Sequence, residues 1–257
     1  MELDDAYANA AYVPGADDYP DKWEREAAAF RTTSMCECDV IYGESPRQRL
    51  DFFHPDRLAK GLIVFVHGGY WLRFDKSFWS HLAAGPLAHG WAVAMPSYDL
   101  CPDVRIGQIG DQVAAAIALA ASRVLGPIRL AGHSAGGQLV ARMTAPRLGA
   151  RWQERVEKVV PISPVADLAP LMKTSMNETL RIDAEEAQAE SPVHLPRPSA
   201  SVTVWVGAEE RPAFLKQAQA LSDAWGCAHE VVLGQHHFNV VEDLADPGSA
   251  LAQTIAG

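Results

Sequence analysis

Long apolar runs and a leader segment are missing from this sequence. No window reaches about 18 uninterrupted apolar residues, so we expect no membrane-spanning helix. The N-terminus, MELDDAYANAAYVPGADDYPDKWE, is acidic and lacks the basic and apolar regions of a secretory signal. The sequence therefore predicts a cytoplasmic protein that does not act on a membrane.

Positive charge is also scarce. Lysine and arginine total 22 against 32 aspartates and glutamates, which gives a net charge of -10 and an isoelectric point near 5.3. An acidic protein without a basic cluster is repelled by nucleic acid and by anionic lipid. We therefore expect no nucleic acid partner. The sequence leaves the oligomeric state open, a homodimer included.

Cysteine is limited to Cys36, Cys38, Cys101 and Cys227. No CxxC pair and no Cys/His quartet with zinc spacing occurs, so we expect no metal site. In a cytoplasmic chain of this size the four residues are most simply buried thiols. Cys36 and Cys38 are two residues apart, so on a strand they would share one face.

What the sequence does contain is a regular alternation of strand-like and helix-like segments. Its 257 residues, 48 % of them hydrophobic, are enough for one large domain over residues 1–257. Near-continuous apolar strands separated by helices indicate an α/β fold, with a mostly parallel central sheet and helices on both faces. Strands are predicted at 61–69, 91–98, 128–134, 156–163, 201–208 and 229–234. Helices are predicted at 78–90, 106–126, 135–145 and 212–226.

Three segments fall outside this alternation. CECDVIYG and RLDFFHP resemble an antiparallel hairpin at one edge of the sheet. Residues 1–34 form an N-terminal extension with a plausible helix that could fold back on the body. Residues 164–200 are helical in patches, and such an insertion over the strand ends can act as a lid.

The segment IRLAGHSAGGQLV joins a strand to a helix through GHSAG, residues 132–136. Small residues on both sides of Ser134 permit the sharp turn of a nucleophile elbow, which lifts the hydroxyl above the strand ends. A glycine-rich turn with Ser134 as a helix N-cap is the alternative. The position of the motif at a strand-to-helix junction favours the elbow.

A second motif, VHGGYW at residues 66–71, ends another strand. Its glycines leave backbone N–H groups unshielded, so Gly68 and Gly69 could join the N–H of Ala135 in an oxyanion hole. We interpret His67 as a residue that fixes this loop, and not as the catalytic base.

A nucleophilic serine needs a base, and the base needs an acid that orients it. Acid candidates follow one strand in VWVGAEERPAF, where Glu209 and Glu210 compete, with Asp167 as an earlier alternative. Base candidates follow the next strand in LGQHHFNVV, where His236 and His237 compete.

These motifs resemble those of the α/β-hydrolases, and they are most similar to the kynurenine formamidases and the hormone-sensitive-lipase-like esterases. The resemblance runs from about residue 35 to residue 245. VHGGYW resembles the formamidase HGGxW loop, and GHSAGG resembles the elbow. The remaining similar segments are PSYDLCP, SPVADLAPLMKTSMNETLRID, VGAEERPAFLKQ and HHFNVVEDL.

The resemblance implies an α/β-hydrolase fold and a catalytic triad of Ser134, Glu210 and His237. The family acid is usually aspartate, so Glu210 departs from the pattern by one methylene. The implied activity is hydrolysis of small carboxylic esters or N-formyl arylamides through an acyl-enzyme, with no cofactor. An acyltransferase on the same fold and a non-catalytic binding module are the alternatives.

Apolar residues near these motifs are candidates for the substrate pocket. Tyr70 and Trp71 follow the oxyanion loop, and Met172 and Met176 lie in the insertion, although each could equally be ordinary core. If they line the pocket, it suits a flat leaving group beside a small acyl group. Polar candidates for an amino acid head group are Arg73, Lys173, Asn177 and Arg181.

Overall fold

A computed structural model describes residues 1–145 and 150–257, and a sheet of eight strands forms its centre. The strands lie in the order β1-β2-β4-β3-β5-β6-β7-β8. β1 and β2 run antiparallel to each other, β2 runs antiparallel to β4, and the other neighbours are parallel. The strands are Cys36–Ile41 (β1), Arg49–Phe53 (β2), Leu62–Val66 (β3), Ala92–Pro96 (β4), Ile128–His133 (β5), Val156–Ile162 (β6), Ser201–Gly207 (β7) and Ala228–Val232 (β8). The predicted parallel sheet and edge hairpin are confirmed.

Helices cover both faces of this sheet. Those found within the described residues are Tyr19–Thr33 (α1), Ala84–Ala88 (α2), Ile106–Arg123 (α3), Ala135–Arg142 (α4), Asn177–Leu180 (α5), Ala184–Glu190 (α6), Pro212–Trp225 (α7) and Ala250–Ala256 (α8). Shorter 3-10 turns connect them, among them Asp5–Tyr7, Asn9–Tyr12 and Ala16–Asp18 in the N-terminal extension.

The predicted helix at 78–90 is wrong in its first half. The chain there forms two 3-10 turns, Lys76–Phe78 and Ser80–Ala83, and becomes α-helical only at Ala84. Pro86 has no N–H and clashes with a preceding helical turn, so it is tolerated only in the first turn of α2. This proline restricts the α-helix to Ala84–Ala88.

Strand β3 shows why both faces of the sheet are covered. Leu62, Val64 and Val66 pack into one apolar cluster, whereas Ile63 and Phe65 pack into the other. All five side chains are buried, as expected for a central parallel strand between two layers of helices. The strand ends that carry the motifs therefore lie together at one edge of a packed core.

The N-terminal extension packs on this edge, and the insertion at 164–200 packs against the extension. The Leu3 N–H donates to the Lys173 carbonyl at 3.2 Å, and the Ser175 N–H donates to Asp4 Oδ1 at 2.6 Å. Helix α1 continues the extension along the body, as the sequence predicts. The insertion is helical in patches, with α5 and α6 separated by irregular chain.

Not all four thiols are buried. Cys101 is buried and Cys36 and Cys227 are half-buried, but Cys38 is exposed, so the prediction of buried thiols is wrong for Cys38. Cys38 lies in β1, the edge strand of the sheet, and most side chains of this strand are exposed. Across residues 1–145 and 150–257, no helix combines the length and the apolar character needed to cross a membrane.

Candidate active site

The turn from β5 to α4 places Ser134 in an unusual backbone conformation, with φ 56° and ψ -116°. The turn is tight enough to require glycine on both sides. A Cβ at Gly136 would lie 2.0 Å from the Val66 carbonyl oxygen, and a Cβ at Gly132 would lie 2.2 Å from the carbonyl oxygen of Gly136. Strain of this kind in a non-glycine residue is typical of functional sites.

His237 stands beside this serine on the loop that follows β8. Its Nε2 lies 3.1 Å from Ser134 Oγ, and its Nδ1 lies 2.6 Å from Glu210 Oε2. The ring is held between Phe214, with centroids 4.3 Å apart, and His133, at 4.7 Å. His133 Nε2 is also 2.8 Å from the His237 carbonyl oxygen, so it fixes the main chain of this loop.

The Glu210 carboxylate lies buried on the loop after β7. Its Oε1 accepts hydrogen bonds from the Gly207 N–H at 3.0 Å and from the Ser163 hydroxyl. With Oε1 thus held, Oε2 faces the imidazole of His237. A hydroxyl, an imidazole and a carboxylate are thereby joined in one line of hydrogen bonds.

Ser163 was not among the residues predicted from the sequence. It follows β6, at the same edge of the sheet as the other motifs, and adopts a φ of 48°. The sequence signal that could have found it is its position at the end of the predicted strand 156–163, next to the strand that carries Ser134.

The alternative acids and base lie elsewhere. Glu209 is exposed, although it is the neighbour of Glu210. Asp167 Oδ1 accepts the Ala169 N–H at 2.9 Å, so this carboxylate caps a turn. His236 Nε2 lies 3.2 Å from the Tyr19 hydroxyl, and its Nδ1 accepts backbone N–H groups of its own loop.

The loop after β3 reaches Ser134 through Gly68. A Cβ at Gly68 would lie 3.0 Å from the Ser134 Cβ, so only glycine permits this approach. The N–H groups of Gly68 and Gly69 have no hydrogen-bond partner among the described residues. The N–H of Ala135, at the first position of α4, has no partner within its helix. These donors have the character of an oxyanion hole.

His67 fixes this loop. Its Nδ1 lies 2.7 Å from the Gly68 carbonyl oxygen, and its ring stacks on Tyr98 with centroids 4.3 Å apart. Burial lowers the pKa of His67 to about 4, so the ring is neutral at physiological pH.

A cavity of about 520 Å³ opens next to Ser134 and His237. Four aromatic side chains in mutual contact form one wall: Trp23, Phe74, Trp79 and Phe238. The N-terminal extension forms another part of the wall with residues 7–11, 16 and 17, and Tyr70 and Met176 also line the cavity.

Two pocket predictions are wrong. Trp71 is completely buried in the core, because its backbone φ of 57° turns the chain away after Tyr70. Met172 packs against the same core from the 3-10 turn Ala169–Lys173 and does not line the cavity. Tyr70 and Met176 line the cavity.

Only one of the polar head-group candidates reaches the cavity. Arg73 lines it, and its guanidinium forms no ion pair with the described residues. Lys173 pairs with Glu2 at 3.4 Å, and Asn177 bonds the backbone of Ile182. The insertion at 164–200 thus contributes only Met176, and the N-terminal extension supplies most of the covering wall.

One described group of side chains has the composition of a metal site: Cys36, Cys38 and Asp51. The Lys76 ammonium, 2.7 Å from Asp51 Oδ1, already neutralises that carboxylate. None of these residues lines the cavity, so they have no part in the site described above.

Known proteins are similar to this chain in sequence. The sequence profile described as the α/β-hydrolase fold matches residues 63–205. Kynurenine formamidase of Salmo salar is 31 % identical over 241 residues, which cover 84 % of this chain and 80 % of that protein. The enzyme of the same name from Danio rerio is 28 % identical over 247 residues, covering 88 % and 82 %.

Solved structures are similar as well. One from Silicibacter sp. TM1040, provisionally described as a thioesterase, is 54 % identical over the whole of both chains, with a TM-score of 0.98. An esterase of Pyrobaculum calidifontis, 19 % identical, shares the fold with a TM-score of 0.68 over 93 % of this chain and 92 % of its own. The chain therefore belongs to the α/β-hydrolase fold family, as a hydrolytic enzyme related to the kynurenine formamidases.

Proposed function

We propose that this enzyme is a serine hydrolase that cleaves small carboxylic esters or N-formyl arylamides through a covalent acyl-enzyme. The observation that carries the proposal is the line of contacts from Ser134 Oγ through His237 to Glu210, at 3.1 Å and 2.6 Å. Its place in a cavity beside unpartnered N–H groups supports the same function.

In the proposed reaction, His237 Nε2 takes the hydroxyl proton while Ser134 Oγ forms a bond to the substrate carbonyl carbon. The carbonyl oxygen becomes negative and is stabilised by the N–H groups of Gly68, Gly69 and Ala135. Glu210 holds the tautomer of His237 and stabilises the imidazolium. The imidazolium then returns the proton to the leaving alcohol or amine as its bond to the carbonyl carbon breaks.

The second half of the reaction repeats these steps with water. His237 removes a proton from a water molecule as its oxygen attacks the ester of Ser134, and the proton passes to Ser134 Oγ when the acid leaves. Residues of the chain supply every acid, base and hydrogen-bond donor in this sequence. We further propose that the substrate is a small molecule of the cytoplasm.

The shape of the cavity supports a flat leaving group. Aromatic rings such as Trp23 and Trp79 form one wall, and their faces suit an aryl group. The relatives named kynurenine formamidase support a formamide as the substrate. The Silicibacter structure, which is described as a thioesterase, is the reason to test a thioester as well. Arg73 at the cavity is available for a carboxylate of the substrate.

The nucleophile is tested by Ser134→Ala together with a fluorophosphonate label. The wild-type enzyme should hydrolyse p-nitrophenyl acetate and butyrate and should gain one label at Ser134. The variant should stay folded and lose nearly all activity. A Ser134→Ala protein that keeps ordinary activity would falsify the serine mechanism.

The substrate class is tested with a panel of acyl compounds. N-formylkynurenine, a short aryl ester, a small acyl thioester and a long-chain ester are compared by kcat/KM. We expect the formyl and short aryl compounds to exceed the long-chain ester. Hydrolysis of N-formylkynurenine no faster than that of a generic anilide would leave a small-molecule carboxylesterase.

The alternative functions are tested with the same protein. Products are analysed with and without an added alcohol or amine. Acyl transfer to the acceptor in preference to water would indicate an acyltransferase, and absence of both labelling and turnover would indicate a binding module.

A further inference from the structure

Asn9 is a buried polar side chain in the wall of the active-site cavity that the N-terminal extension forms. It begins the 3-10 turn Asn9–Tyr12, and its neighbours in this wall are Ala8, Ala10 and Ala11. The residue is only 6 % exposed, yet it lines the same cavity as Ser134. Its side chain forms no hydrogen bond with any residue in the described part of the chain.

An amide in this situation lacks the partners that buried polar groups normally have. The Oδ1 atom is fully enclosed, whereas the Nδ2 atom is not, so its N–H groups are the part that can meet a bound molecule. A buried amide without hydrogen bonds destabilises a fold, and an apolar residue of similar size would remove that cost. The Nδ2 N–H groups are not enclosed and have no partner in the free enzyme, so a ligand that carries an acceptor would supply the hydrogen bond they lack.

The wall that carries Asn9 is held in place by contacts of its own. The Tyr70 hydroxyl donates to the Tyr7 carbonyl at 2.9 Å, and the Gln217 amide donates to the Tyr7 hydroxyl at 2.9 Å. The backbone two residues before Asn9 is therefore held against the body of the protein.

We propose that Asn9 is a specificity-determining residue, whose amide N–H groups donate a hydrogen bond to a carbonyl or carboxylate oxygen of the substrate. This oxygen lies on the leaving group, away from the bond that Ser134 attacks. The inference rests on the proposed serine hydrolase function and deepens it. The enzyme distinguishes aryl esters that carry such an acceptor from aryl esters that do not.

The test compares three acetate esters with the same acyl group: those of phenol, of para-hydroxyacetophenone and of para-hydroxybenzoate. Each is measured with wild-type enzyme and with Asn9→Leu, which keeps the size of the side chain and removes its donors. Relative to phenyl acetate, we expect kcat/KM to fall about 3- to 10-fold more for the ketone. For the carboxylate the additional loss should be about 10- to 100-fold, because a charged acceptor bonds more strongly.

The control is Ala10→Leu, which adds apolar surface to the same wall and removes no donor. It should change all three esters by a similar factor, and the melting temperature of both variants shows whether the wall remains folded. Equal losses for the three esters in Asn9→Leu, or a selective loss in Ala10→Leu, would overturn the role of Asn9. Phenyl acetate hydrolysis that survives in Ser134→Ala would instead overturn the underlying function, so the two failures are distinguishable.

Discussion

Three donors converge on one carboxylate at Glu210. The Gly207 N–H and the Ser163 hydroxyl hold Oε1, which leaves Oε2 to face His237 at 2.6 Å. A glutamate side chain has one more rotatable bond than an aspartate side chain, and these two donors hold it in one rotamer. The arrangement makes the position sensitive to loss of charge even where size is kept.

Glu210→Gln should lower kcat by about 10⁴. The amide oxygen can accept a hydrogen bond from the imidazole, but the amide lacks the negative charge that stabilises the imidazolium. Glu209→Gln is the matched control, since its side chain is exposed and lies next in sequence. Steady-state kinetics on p-nitrophenyl acetate measure both. A Glu210→Gln enzyme of normal turnover would exclude Glu210 as the acid.

His237→Ala should be as damaging as Ser134→Ala, because members of such a triad act as one unit. His236→Ala should have a much smaller effect, since His236 contacts Tyr19 and its own loop. Both are measured by kcat and by the rate of fluorophosphonate labelling. If His236→Ala alone were inactive, the proposed assignment of the base would be incorrect.

Local patterns were sufficient to predict some of these residues. Ser134 is recognisable because the glycines that its turn requires lie within two residues of it. Ser163 and Asn9 are not recognisable in this way, because each acquires its partner or its cavity only through contacts with distant parts of the chain. Trp71 is the opposite case, because it directly follows the HGGY motif and yet its side chain lies in the core.

At the scale of elements, the N-terminal segment of residues 5–18 is what closes the cavity. The Arg211 guanidinium contacts Asp5 Oδ2 at 2.7 Å and stacks over the Tyr12 ring at 3.5 Å. The sequence predicted a fold-back of this region but assigned the covering role to residues 164–200. Polar composition predicts irregular structure for both segments. Which of the two reaches the strand ends depends on the three-dimensional packing.

Removal of residues 1–15 should raise KM for aryl esters about tenfold, because the apolar surface that the wall offers to an aryl ring is lost. The change in kcat should be smaller, since the triad lies on other elements. Ala11→Trp instead narrows the cavity from the same wall. It should also raise KM for aryl esters and should leave the N-terminal contacts intact. Unchanged KM values in both proteins, with unfolding curves that show intact folds, would contradict this assignment of the wall.

At the scale of the whole molecule, the sheet is covered so completely that it encloses ionisable rings. Burial lowers the pKa of His67 and of His81 to about 4, and it lowers the pKa of His133 well below its usual value. The alternating apolar segments predicted this double covering, because every strand and helix signal agreed with one architecture. Which histidines it would bury could not be predicted, since burial depends on the packing of elements far apart in sequence.

These histidines make the stability depend on pH. Between pH 6.5 and pH 4 the unfolded chain binds protons that the folded protein does not, so the free energy of unfolding falls as the pH is lowered. The slope contributed by each histidine is up to about 1.4 kcal/mol per pH unit. Urea unfolding at a series of pH values measures the effect.

His81→Leu isolates one of these contributions, because His81 lies outside the cavity. The variant should show a shallower loss of stability below pH 6.5 than the wild-type protein. Identical pH profiles for wild type and His81→Leu would show that His81 does not remain neutral in the fold.

The division of the cavity between a sheet edge and a separate stretch of chain also bears on how such an enzyme diversifies. The proposed triad, together with the Ser163 that anchors its acid, lies at the ends of β5, β6, β7 and β8, where each substitution disturbs a shared core. Residues 7–11, 16 and 17 belong to one short stretch of chain outside the sheet and also line the cavity. Mutation and exchange of that short stretch can therefore explore new substrates while the chemistry is inherited unchanged.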